Sequence, residues 1–208
     1  TTYYLCLTGG LMAEQKEKKV EDIKKEADTR KCPVNKALYY IEEFISGPMC
    51  GKCFPCEMGV YEARIRLKNI TEGKGADSDL SAIKRIASDM LESSRCKRGK
   101  DTAAFILDWM GTDVFKEHIQ GRCPDRECIS LIEYRIIPEK CIMCGLCKDA
   151  CKYNAILGEK KKGYKSGYLP FEIRQRRCVK CGDCIKVCPT EAVIIVDVKA
   201  KEKISVSV

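Results

Sequence analysis

CIMCGLCKDACKYNAI, residues 141–156, and CVKCGDCIKVCPTEAV, residues 178–193, are two copies of one pattern set 37 residues apart. In each, the cysteines run C-x-x-C-x-x-C-x-x-x-C. Thiols at this spacing wrap a short loop around an iron–sulfur cluster, and the fourth cysteine of each run crosses to the neighbouring cluster. The reading therefore assigns Cys141, Cys144, Cys147 and Cys188 to one [4Fe-4S] centre, and Cys178, Cys181, Cys184 and Cys151 to a second. Gly145 and Gly182 allow the tight turn that brings amide N–H groups toward the sulfurs. Pro189 follows the last cysteine, whereas Lys152 stands at the equivalent place in the first copy. Strands are expected before each run, near 134–137 and 167–171, and after the second, at 192–196. The connecting stretch EKKKGYKSG, residues 159–167, reads as a basic solvated hairpin or docking edge.

Working back along the chain, MCGKCFPCEMG (49–59) carries Cys50, Cys53 and Cys56 with no close fourth cysteine. Three thiols on one tight loop again suit the face of a cluster, which then needs one more ligand. Cys96, in SSRCKRGKD, supplies it if the surrounding helices bring the two loops together. An exposed thiol among Arg95, Lys97 and Arg98 would otherwise be reactive.

Apolar residues at three- and four-residue steps predict four amphipathic helices between these cysteines. The first carries Ala37, Leu38, Ile41, Phe44 and Ile45 and stops before Gly47–Pro48. The second carries Val60, Ala63, Ile65 and Leu67. The third, from about 79 with Asp79 as a cap, carries Leu80, Ile83, Ala87, Met90 and Leu91; the fourth, from Asp101, ends near Gly111. Such helices joined by modest loops describe a small bundle. Residues 13–29 are highly charged, and Val20 and Ile23 are too sparse for a core helix, so a surface helix or arm is expected there. The expected organisation is an arm over 1–31, a four-helix [4Fe-4S] bundle over 32–117, a hinge over 118–138, an α+β ferredoxin-type domain with two [4Fe-4S] clusters over 139–198, and a tail over 199–208. The fold class is thus multidomain, α followed by α+β.

Cys6, Cys32, Cys123 and Cys128 remain, with His118 the sole histidine. His118, Cys123 and Cys128 fall within eleven residues, and Cys32 could reach them across the bundle. Three thiolates and an imidazole make an ordinary closed zinc site. A Cys₃His iron–sulfur site, separate inert thiols, or a histidine that caps the fourth helix are the other readings.

Sixteen cysteines in 208 residues fit a metal carrier better than a disulfide scaffold, because they recur at two-residue gaps and no export signal precedes them. The net charge of +8 raises the question of nucleic-acid binding. Three clusters, each 2− with its thiolates, bring the loaded chain to about +2, so the basic surplus mostly compensates buried anions. Neither nucleic-acid binding nor membrane insertion is expected; no run of apolar residues is long enough to span a bilayer.

The three-cysteine loop with its distant partner resembles the iron–sulfur region of the NADH-binding subunit of respiratory complex I and its hydrogenase and formate-dehydrogenase relatives. CPVNKALYYIEEF (32–44) looks like the helix that precedes the loop in that family. HIQGRCPDREC followed by IIPEKCIMCGLC is similar to the longer form in electron-bifurcating NADH-dependent hydrogenases, which append a ferredoxin module. The likeness covers about residues 30–198. It implies zinc on Cys32, His118, Cys123 and Cys128. Pro48–Met49 and Glu57 stand where the family usually has Glu–Ser and Arg, which puts the contact with flavin in doubt.

No glycine-rich dinucleotide signature occurs in the chain, so the flavin and NADH-binding part is expected on another polypeptide. The role that the resemblance implies is an electron-transfer subunit of a cytoplasmic multisubunit flavin oxidoreductase, of the electron-bifurcating kind found in anaerobic metabolism. Its partners would be a pyridine-nucleotide-linked FMN or FAD flavoprotein, and ferredoxin or a metal-containing catalytic subunit. No autonomous catalysis is expected. The alternative is a structural or redox-sensing iron–sulfur scaffold.

Overall fold

The computed structural model describes residues 18–162 and 169–198. Six helices come first: α1 (Val20–Asp28), α2 (Pro33–Ser46), α3 (Phe54–Thr71), α4 (Asp77–Ser93), α5 (Lys97–Met110) and the short α6 (Val114–Ile119). The four predicted helices are α2 to α5. Tyr40 is fully buried at their centre, edge-on to Phe105 and Trp109 at 5.5 and 5.7 Å, with its hydroxyl 3.2 Å from Thr102 Oγ1. Asp79 lies one turn inside α4 instead of at its cap. Its carboxylate accepts the Ala76 N–H at 2.9 Å and pairs with Arg66 at 2.8 Å.

Two expectations are corrected here. Residues 20–28 are no surface arm: Val20, Ile23 and Ala27 are buried in the same core as α2 and α5. Three apolar side chains at steps of three and four suffice because Ala27 is small and the polar face is tied down. Tyr39 donates to Glu26 at 2.6 Å, and Lys18 bridges Glu26 and Glu43. The second correction concerns Ile65, which faces outward; with Phe54, Met58 and Tyr61 it forms an exposed apolar stripe along α3.

A 3-10 turn (Ile129–Leu131) leads into the C-terminal module, where Leu131 packs against Gly73 just beyond the end of α3. There β1 (Ile132–Ile136), α7 (Leu146–Asp149), β2 (Ile156–Leu157), β3 (Glu172–Ile173), α8 (Asp183–Lys186) and β4 (Val193–Asp197) follow in order. β1 pairs antiparallel with β4 and β2 with β3, so the strands of one repeat pair only with those of the other. The 37-residue offset extends to the backbone. Gly145 and Gly182 have φ of 82° and 85°, Met143 and Lys180 of 56° and 59°, and Asn154 and Glu191 of 49° and 50°. β3 begins at Glu172, just past the strand expected over 167–171, and β2 has no counterpart among the expected strands. Residues 1–17, which include Cys6, and most of the basic hairpin lie outside the described residues. The described start of that hairpin folds back, with Lys160 paired to Asp149 at 2.6 Å. Among the described residues, no helix is long and apolar enough to cross a membrane.

Candidate metal centres

The fifteen cysteines of the described residues are all free thiols, and they fall into four groups. The tightest is Cys32, His118, Cys123 and Cys128, whose ligand atoms all lie within 4.8 Å of one another and whose residues are buried. Cys32 stands at the N-terminus of α2, His118 on α6, and the two other cysteines on the loop that leaves it. His118 Nδ1 lies 2.7 Å from the Val114 carbonyl and donates to it, which leaves the Nε2 lone pair aimed at the sulfurs. Nε2 is 3.3 Å from Cys32 Sγ and 3.2 Å from Cys128 Sγ, and those two sulfurs are 3.8 Å apart. A tetrahedral ion with Zn–S near 2.3 Å and Zn–N near 2.0 Å sets edges of about 3.5–3.8 Å. The observed edges fit a single ion. A cubane, with one iron behind each ligand, would hold its donors farther apart.

The free groups also perturb one another's ionisation. Burial alone would keep His118 neutral, but hydrogen bonding to the Cys123 and Cys32 sulfurs outweighs it and raises the imidazole to about 10. Cys128 is pushed far up by hydrogen bonding to Cys123 and Cys32 and by burial, while Cys123 is driven down as the acceptor of the set. Three sulfurs around one imidazole form a donor set that could hold a cation. Sequence reasoning missed one supporting residue, Glu127. Its carboxylate accepts both the Lys31 and the Cys32 N–H at 2.9 Å, fastening the start of α2 to the loop bearing Cys123 and Cys128. Only its place beside Cys128 hinted at this.

The second group is Cys50, Cys53, Cys56 and Cys96, which line one recess with Arg98 and Gly99. Cys53 and Cys96 occupy the positions just before α3 and α5, so two helix N-termini converge there. Each contributes a partial positive charge and free N–H groups, favourable to anions by about 0.3–1 kcal/mol apiece. Arg98 donates to the Pro48 carbonyl at 3.1 Å and locks the two loops together. Burial first, then the thiols of Cys53, Cys96 and Cys50, push Cys56 up to about 12. Four thiols that repel each other's ionisation are suited to a cationic metal core. The missing fourth thiol of the 49–59 loop is thus beside it, forty residues on in sequence.

The last two groups are related by the repeat. Cys151, Cys178, Cys181 and Cys184 line one recess beside Tyr134. Burial, then Cys141, Cys144 and Cys188 among the neighbouring charges, raises the Cys147 thiol. The Cys151 set thus shares one recess, and Cys141, Cys144 and Cys188 lie near enough to Cys147 for their charges to act on it. Burial and then Cys178, Cys147 and Cys181 raise Cys184 to about 11, so the two sets also adjoin. Equivalent positions share an environment: Cys147 and Cys184 are buried and Cys144 and Cys181 exposed. Ala155 and Ala192 N–H donate to Cys151 and Cys188 at 3.3 and 3.2 Å. Such N–H···S bonds stabilise thiolate ligands.

The bundle fixes how the groups are spaced. Cys32 lies at one end of α2 and the 50–56 loop beyond the other, about 21 Å along a 14-residue helix. Lys180, between Cys178 and Cys181, donates to the Ile129 carbonyl next to Cys128. The Cys178 set thus sits at the Cys32–His118 end, a helix length from the Cys50 set.

With this geometry in view, the chain defines an iron–sulfur-binding protein of two parts, a helical region and a small β-containing module. Residues 36–122 match the NADH-ubiquinone oxidoreductase-F iron-sulfur binding region, and residues 140–192 match the 4Fe-4S dicluster domain. The chain is 33% identical over 138 residues to the HndC subunit of the NADP-reducing hydrogenase of Solidesulfovibrio fructosivorans, covering 65% of this chain and 28% of that protein. It is 38% identical over 85 residues to the F subunit of the NADH-quinone oxidoreductase of Streptomyces coelicolor (39% of this chain, 19% of that one). It is 31% identical over 84 residues to the beta subunit of the NADP(+)-dependent formate dehydrogenase of Moorella thermoacetica (40% and 12%). The chain spans little more than a quarter of the length of these relatives at most. It contains an iron–sulfur-binding domain resembling that of complex-I-type and hydrogenase NADH-binding subunits.

Proposed function

We propose that the chain is an electron-transfer subunit carrying three [4Fe-4S] clusters and one structural zinc ion. The clusters would be held by Cys50, Cys53, Cys56 and Cys96; by Cys141, Cys144, Cys147 and Cys188; and by Cys151, Cys178, Cys181 and Cys184. Zinc would be held by Cys32, His118, Cys123 and Cys128. The observation that carries this reading is the sorting of the thiols: three four-cysteine groups and a single tight Cys₃His group of ion-sized edges. Bound clusters would supply one-electron chemistry. The protein's own part is to supply thiolates, aim α3 and α5 N-termini and N–H donors at them, and hold their spacing.

That spacing shapes the role. Electron tunnelling weakens steeply with distance, and a helix length separates the Cys50 group from the paired groups. We therefore read two ports: one at the head of α3 and α5 facing a flavoprotein, the other in the repeat module facing ferredoxin or a catalytic subunit. Pyridine-nucleotide chemistry, electron bifurcation and a cytoplasmic setting belong to this proposal, the first of them suggested by what the relatives are named for. The division into a helical domain, a metal-bearing hinge over 118–138 and a cluster module over 139–198 belongs to it as well.

The test is reductive titration of the anaerobically prepared chain followed by electron paramagnetic resonance. Three cluster signals are expected, and Cys96→Ala should abolish one and leave two. Two signals in the unsubstituted chain would reject the first port.

A further inference from the structure

Ser94 closes α4, with its N–H bonded to the Met90 carbonyl at 3.0 Å. Its side chain is 3% exposed, yet its Oγ is buried with no hydrogen-bond partner among the described residues. A buried, unpaired hydroxyl costs about 1–3 kcal/mol. The surroundings show where it faces. A Cβ built on Gly99 would stand 2.9 Å from Ser94 Oγ and 3.2 Å from Cys56 Sγ. The hydroxyl and the thiol thus flank the bare face of the one glycine in the first turn of α5, and Gly99 and Cys56 line the recess together with Cys50, Cys53 and Cys96, with Ser94 packed directly behind Gly99. Glycine here keeps the path between them open.

We infer that Ser94 is a tuning residue for the Cys50 group, donating its O–H to a sulfur of the cluster held there. This rests on the reading of that recess as a cluster site. A donor facing the cluster stabilises the more negative, reduced form, so it raises the reduction potential. Ser94 is not a ligand, because the thiols already number four. Its Oγ has no protein partner among the described residues, so removing it should not weaken the fold.

The test compares the whole, anaerobically loaded chain with S94A, following each cluster signal in a potentiometric titration. The expected result is three signals in both proteins, the one that disappears in Cys96→Ala shifted to a lower potential in S94A, and the other two unmoved. A second readout is the coupling of an exchangeable proton to that reduced cluster, measured in H₂O and D₂O. It should be present in the parent and lost in S94A. An unchanged potential together with an unchanged proton coupling would overturn the inference. So would a shift shared equally by all three signals, which would mark a general effect on folding. If the unsubstituted chain shows only two signals, it is the cluster assignment that fails, and this is seen before the variant is made.

Discussion

The helical region and the repeat module hold their metal-binding cysteines in opposite ways. In the helical region seven thiols are spread around a large core: Tyr40, Phe44, Ile23, Leu67, Ile83 and Ile106 are buried to within 1% of complete. Its cysteines sit at helix ends and on the adjoining loops, and Cys32, Cys56, Cys123 and Cys128 join a core made mostly of other side chains. In the repeat module the order is reversed. Two strand pairs, two four-residue helices and a buried cluster of eight residues that includes Cys147 and Cys184 make up the described whole. Two-stranded pairs are marginal alone, so on the proposed reading ligation supplies much of the module's stability. On that reading, one region is a fold that holds metal and the other a fold that metal holds.

Anaerobic extraction of iron should produce the largest difference. Amide protons of β1 and β4 should lose protection from exchange almost entirely, while those of α2 and α5 keep theirs. Equal loss in both regions would break the comparison. Ile23→Ala probes the helical side. Truncating a fully buried side chain should cost about 2–5 kcal/mol, read as a lower thermal midpoint of the helices with the iron content unchanged. Should α1 be only a surface arm, the midpoint would stay put.

A smaller effect is expected at the seam. Glu127→Ala removes the acceptor of two backbone N–H groups and should cost about 1–3 kcal/mol. Competition with a chelator should then show faster loss of the ion bound by Cys32, His118, Cys123 and Cys128, with iron retained. Smallest of all, Ile65→Ser and Phe54→Ser on the exposed stripe of α3 should change stability by no more than about 0.5 kcal/mol. A large loss there would mean that the stripe is packed against something within the chain.

How far the sequence disclosed this follows from the same contrast. Where ligation makes the structure, ligand spacing is written locally. The 37-residue repeat points to both crossed cysteine sets, and the glycines at 145 and 182 take the left-handed turn expected of them. Where packing makes the structure, periodicity locates α2 to α5 but not the third dimension. Ile65 keeps the helical step and still faces outward, since an 18-residue helix on one side of a bundle buries only one stripe. Charge dominates the composition of α1 and masks its role, although Val20, Ile23 and Ala27 share one buried face. Cys96 answers the missing fourth thiol of the 49–59 loop, whereas the choice of Cys32 over Cys6 for the His118 group is what the family resemblance implies. Glu127, Ser94 and Gly99 cannot be read in this way, because each acts through a contact between segments distant in sequence or packed end to end.

On the proposed reading, fifteen cysteines and the one histidine form three cluster cradles and one single-ion pocket. Metal analysis of the anaerobically isolated chain tests it most directly. About twelve irons and one zinc per chain are predicted, from four irons in each of three clusters. About eight irons would eliminate the Cys50 group as a cluster site, and iron in place of zinc in the His118 pocket would contradict the division between cradles and pocket.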